Sequence, residues 1–154
     1  LGDVYKRQFE YKTHMMQNYG AGVQACYRGP RLYDTPETQA AVTEVIQWYK
    51  KYRDILNSDM IHLRRPDARD WDGFIHVNPH KKEKGLAMFF NPTHQEITRT
   101  IHIPLYYTGL TQTARIREKE QKPVTYKLNR DYTVELTVKI PANGYTWYVV
   151  EAAD

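Results

Sequence analysis

The chain has one cysteine, Cys26, and one serine, Ser58. A single thiol forms no internal disulfide and builds no cysteine metal cluster. Ser58 sits in a helix-ending Asn-Ser-Asp with no histidine at a recognisable spacing, so a serine triad has no support. No stretch approaches the continuous apolar run of a membrane span. Charge of one sign is also scarce. The 22 Lys and Arg are interleaved with 18 Asp and Glu for a net +4, and no basic stripe emerges, so neither nucleic acid nor membrane is an expected partner. Gly20-Ala21-Gly22 lacks the further glycine and the preceding strand of a nucleotide loop, and no cofactor is expected.

What is abundant is aromatic, with 13 Tyr and 3 Trp. Such rings fill sandwich cores and also hold sugar rings, and the core is the commoner use.

Residues 33–67 organise the chain as a long amphipathic helix, a short apolar strand and a proline turn. Asp34 or Thr35 can cap the helix, Pro36 is tolerated in its first turn, and Glu37 suits the positive end of the dipole. Val42, Val45, Ile46, Tyr49, Tyr52 and Leu56 recur at the spacing of a buried stripe, and Asn57-Ser58-Asp59 ends the helix. A helix about 33 Å long needs a large apolar partner. The expectation is that most of this partner lies in a part of the protein that precedes the chain.

From Met60 the hydrophobic period becomes alternating. Strands are expected at 60–63 and 74–77, at 85–90 up to Asn91-Pro92, and at 97–105, where Ile97, Ile101, Ile103 and Leu105 share a face with Arg99. Weaker candidates are 114–118 and 126–128. A last hairpin is expected, in which Tyr132, Val134, Leu136, Val138 and Ile140 alternate with polar residues, 141–144 turn, and 145–151 return. Each buried member of that face contributes about 1.5–3 kcal/mol. Seven or eight short strands with no helix among them predict an antiparallel β-sandwich able to fold by itself. The fold class is mainly β, a C-terminal sandwich preceded by one long α-helix.

Residues 1–8 read differently. Asp3 to Gln8 back-translates as GAT GTG TAT AAG AGA CAG, which resembles a transposase end sequence used in preparing sequencing libraries, so 1–8 is expected to be adapter-derived and the chain to be a fragment. Residues 9–33 read as a short apolar segment and a turn, the end of a barrel strand or a short helix with its loop.

Five segments carry a family resemblance: 19–35 (YGAGVQACYRGPRLYDT), 48–56 (WYKKYRDIL), 62–67 (HLRRPD), 85–93 (GLAMFFNPT) and 144–151 (GYTWYVVE). Together they resemble the tail of a (β/α)8-barrel glycoside hydrolase of the α-galactosidase-like kind. The resemblance implies that 9–58 ends the catalytic barrel and includes its last helix, with a C-terminal sandwich at 59–154. It implies a secreted or periplasmic parent whose missing N-terminal barrel is this chain's partner. The two carboxylates that cleave glycosidic bonds in such enzymes sit at barrel strand ends, upstream of these residues, so no catalytic residue is assigned here. The chain is then structural support for the barrel, not catalytic alone.

For contact with carbohydrate, the loop before the helix is the candidate: Tyr27, Arg28, Arg31, Tyr33 and Asp34 form a dense polar and aromatic group at a helix entry, where binding residues often sit. The plainer reading is that its arginines pair with carboxylates and anchor the loop. No metal is expected. Asp67, Asp70 and Asp72 read as arginine-paired aspartates of a hairpin connection, since a calcium loop needs an oxygen ligand where Ala68 stands. His62, His76 and His80 read as outward polar positions. Two alternatives compete with the tail reading. A carbohydrate-binding module predicts an exposed row of Trp71, Tyr106, Tyr107, Trp147 or Tyr148, and a free-standing interaction domain predicts dimerisation through Val42, Val45, Tyr49 and Tyr52.

Overall fold

The computed structural model describes residues 2–23, 33 and 35–153. Two helices come first, α1 (Gly2–Gly20) and α2 (Pro36–Leu56). Thr35 caps α2, its hydroxyl accepting from the Thr38 amide at 3.1 Å, and Pro36 opens the first turn as expected. The stretch expected to be a short apolar segment is helical as far as Gly20, then turns at Gly22 with a φ of +74°. A side chain at Gly22 would place its Cβ 2.3 Å from the Leu56 carbonyl oxygen, so the close approach of the two helix ends requires glycine. Lys12 lies against Glu44, Tyr19 against Tyr49 and Gly22 against Leu56, so the helices run side by side in the same direction.

Eight strands follow: β1 (Asp59–Arg64), β2 (Asp72–Val77), β3 (Glu83–Phe90), β4 (Ile97–Pro104), β5 (Thr113–Glu118), β6 (Val124–Lys127), β7 (Thr133–Ile140) and β8 (Tyr145–Glu151). A 3-10 turn, Tyr106–Thr108, follows β4. The strands form an antiparallel β-sandwich: a six-stranded sheet in the order β1-β2-β3-β8-β5-β6 faces a two-stranded sheet of β4 and β7. Between them lies one core, with Ile75, Ala87, Phe89, Tyr148 and Val150 from the large sheet meeting Ile101, Ile103, Val134, Leu136, Val138 and Ile140.

The expected last hairpin is not one. β7 pairs with β4, Ile101 opposite Leu136, while β8 pairs with β3 and β5. The turn at 141–144 therefore carries the chain from one sheet to the other. The burial of the two strands shows why. In β7 buried and exposed residues alternate strictly, as in a strand with one face in water, whereas β8 is buried from Thr146 to Val150 and needs cover on both faces.

The second cover is the helix layer. Leu86, Met88, Phe90, Trp147 and Val149 on the outer face of the large sheet meet Met15 and Met16 of α1 and Val45, Tyr52, Ile55 and Leu56 of α2. The apolar stripe of α2 thus finds its partner within the chain, contrary to expectation. Val45 and Tyr52 are each 1% exposed, so the face proposed for dimerisation is used internally.

His76 is also corrected. It is 1% exposed, not outward, because β2 lies inside a sheet covered on both faces. Its Nε2 lies 2.6 Å from the Gly20 carbonyl oxygen and its Nδ1 3.4 Å from that of Ser58. Two of the three aspartates of the connection follow their expectation, Asp67 and Asp70. Arg64 pairs with Asp67 at 2.8 Å, and Arg99 reaches from β4 to Asp70 at 3.1 Å.

Candidate functional site

Of the loop residues expected to meet ligand, Tyr27, Arg28, Arg31 and Asp34 lie outside the described residues, and Tyr33 is exposed. The aromatic row does not form either. Trp147 and Tyr148 are buried and Trp71 packs on Phe89 at 5.9 Å, which leaves Tyr106 and Tyr107 in water.

The most densely built polar and aromatic site is the seam between the helices and the large sheet. Helical spacing puts Trp48 and Tyr52 one turn apart on α2, and both rings meet Trp147 of β8 edge to face, at 5.6 and 5.3 Å. Beyond the rings, β5, the turn after it and α2 bring in charge. The Tyr52 hydroxyl donates to Glu120 and accepts from Arg117 at 3.2 Å, and Lys51 binds the same Glu120 carboxylate at 2.8 Å. Burial, reinforced by the hydrogen bond to Glu120, raises the Tyr52 phenol above its ordinary value. For Glu120 burial works against ionisation, but hydrogen bonds from Lys51 and Tyr52 outweigh it and hold the carboxyl below the usual range.

Beside the rings opens a slot of about 460 Å³, where Trp48, Tyr145 and Trp147 are joined by Lys12, Glu44 and Glu120. Burial, with the Glu44 charge adding, pushes the Tyr145 phenol up to about 12. Two carboxylates in an aromatic slot invite comparison with a glycosidase pair, in which one carboxyl must stay protonated to act as acid. Here each is matched by a lysine, Glu44 by Lys12 at 2.7 Å and Glu120 by Lys51, and Glu120 is the opposite of a general acid. A raised carboxyl occurs at Asp72, where burial outweighs the nearby Arg64, but no second carboxylate lines its small pocket of about 150 Å³. Among the described residues no group of three His, Cys, Asp or Glu side chains gathers as a metal site. The seam can hold two layers in a fixed relation, and its groups do not form an acid and base pair.

No protein-family model matches the sequence, and no curated protein matches it. Solved structures do match. α-Galactosidase I from Mortierella vinacea superposes with a TM-score of 0.60 at 15% identity, covering 93% of this chain and 35% of that one. A β-L-arabinopyranosidase from Geobacillus stearothermophilus gives 0.61 at 12%, covering 95% and 31%. An α-amylase from Geobacillus thermoleovorans gives 0.60 at 13%, covering 96% and 34%.

The likeness is one of fold. The chain spans about a third of the length of these glycosidase chains. The glycosidases differ in the sugar that their names specify, so the shared architecture carries no substrate information. Sequence reasoning missed the seam because its parts come from three distant stretches: Lys12 and Met16, 44–52, and 117–147. The available signal was β8 itself, whose bulky residues on both faces require a layer on each side.

Proposed function

We propose that this chain is the C-terminal part of a glycoside hydrolase, in which the sandwich and its helices support a catalytic barrel of the same parent and take no part in bond cleavage. One observation carries the reading. The likeness takes in 93–96% of this chain, helices included, but only 31–35% of each glycosidase. The ion-paired state of the seam carboxylates supports a structural role for that region. The deciding experiment is to extend the source DNA upstream of the Phe9 codon. A reading frame encoding a (β/α)8 barrel with carboxylates at its strand ends is the expected result. A stop codon or an unrelated domain there overturns the proposal.

In that parent, Tyr27, Arg28, Arg31, Tyr33 and Asp34 are proposed to border the sugar-binding cleft, at the point where a barrel loop enters its helix. The double substitution Arg28→Ala, Arg31→Ala in the intact enzyme is expected to raise KM. Unchanged KM and kcat would remove these residues from the cleft.

A further inference from the structure

A second concavity lies apart from the seam. Below the C-terminal end of α2, a groove of about 580 Å³ gathers Asp54, Asp59, Asn78, His80 and Lys81. It shares the wall residues Asp59, Val77 and Pro79 with an adjoining hollow of about 330 Å³ that Tyr107 lines, and the two side by side make up a trough.

Its chemistry limits what fits. The polar groups include both charge signs, so a strong anion meets two carboxylates and a cation meets Lys81. A neutral ligand with many donors and acceptors is complementary to such a mixture. The aromatic end adds a second requirement. Tyr106 and Tyr107 are 61% and 64% exposed, yet their rings are held edge to face at 5.1 Å, and Tyr106 rests on Tyr132 at 5.3 Å. Gly109, at a φ of +77°, closes the turn that carries them and packs on Pro79, where a Cβ would come within 3.0 Å of the proline ring. These rings are placed beside the trough without being buried in a core, which suits a ligand that has an apolar face as well as hydroxyls.

The trough wall is also fixed before any ligand arrives. Asn78 donates to the Ser58 hydroxyl and accepts from the His80 amide, both at 3.0 Å, and Lys84 ties down the Pro79 and Lys81 carbonyls at 2.8 and 3.1 Å. Binding therefore costs little ordering of the protein.

We infer that this trough binds a neutral oligosaccharide: the C–H face of one ring rests on Tyr107, and hydroxyls of the chain bond to Asp59, His80 and Lys81. The inference goes beyond the proposed support role and does not depend on an upstream barrel. The test uses the 154-residue chain, so its outcome is separate from that of the DNA extension. Amide chemical shifts are followed while raffinose, maltotriose and xylotriose are each titrated in. The expected result is a saturable shift of Asn78, His80 and Tyr107 with at least one of them, at a Kd on the order of 1 mM. Tyr107→Ala and Asp59→Asn, both at exposed positions, should each weaken binding about tenfold, equivalent to about 1.4 kcal/mol, with the thermal midpoint unchanged. No saturable shift with any of the three sugars overturns the inference. So do shifts that survive Tyr107→Ala, or tighter binding of tri-galacturonic acid than of all three neutral sugars.

Discussion

At the scale of the residue, His76 joins three pieces of chain. It lies on β2 with one ring nitrogen toward the end of α1 and the other toward the turn after α2. Burial lowers its pKa, and the two carbonyl contacts offset this only in part. The unfolded histidine takes up its proton near its ordinary value of about 6.5, whereas the folded one does so at lower pH. The stability that follows is fully present above about pH 6.5 and is lost as the pH falls through the folded pKa. Urea midpoints should therefore drop between about pH 7.5 and 5.5, and His76→Gln should flatten that part of the dependence. Thr13 on α1 supplies a second case. Among the described residues its buried hydroxyl has no hydrogen-bond partner. Thr13→Val keeps the shape and removes the unsatisfied group, so stability should rise by about 1 kcal/mol in a denaturant titration. Neither role was legible in the sequence. A histidine in an alternating strand reads as outward until the strand is known to be covered on both faces, and Thr13 acquires its setting only once α1 is packed.

Among the elements, the strands were legible nearly in full because each alternates or ends at a marked turn. Their pairing was less so. A four-residue turn containing Pro, Asn and Gly reads as a hairpin whether the chain returns beside itself or crosses to a facing sheet, and contacts from elsewhere decide between the two. Asn91 supplies them. Its side-chain amide donates to the carbonyls of Gln95, Ile140 and Pro141 at 2.7, 3.2 and 3.1 Å, and its carbonyl accepts from the Thr93 amide and hydroxyl. The residue is 1% exposed and locks the end of β3 to the crossover between β7 and β8. Asn91→Ala would leave these partners buried without a replacement, a loss of about 3 kcal/mol that equilibrium unfolding would measure. The dipeptide Asn91-Pro92 is readable as a strand stop, but the second role depends on residues about fifty positions away.

For the molecule as a whole, two layers were readable and the third was not. The alternation of β4 and β7 announces a one-faced sheet, while the solid burial of β3 and β8 calls for a further covering, whereas the sequence alone assigns the partner of the long helix to an absent part. The helices provide it, packing Met15, Met16, Val45, Tyr52, Ile55 and Leu56 on the outer face of the large sheet. Expressing residues 59–154 without them would bare Leu86, Met88, Phe90, Trp147 and Val149 as one apolar surface. That truncation should self-associate or precipitate while the longer chain remains dispersed, a difference that size-exclusion chromatography would register. The candidate loop at 27–34 belongs to the same problem of scale, since its proposed role depends on a barrel outside these residues.

The place of β8 in the sheet also governs how the protein can be made. It is the last of the eight strands in sequence order, yet it lies between β3 and β5, with three strands on one side and two on the other. During synthesis the β1-β2-β3 meander and the β5-β6 hairpin emerge with no strand to join them, each showing an open edge of unpaired amides and carbonyls. Those edges are the surfaces on which nascent chains pair with one another. Closure of the sheet is accordingly a step of long sequence reach that waits until β8 has been made.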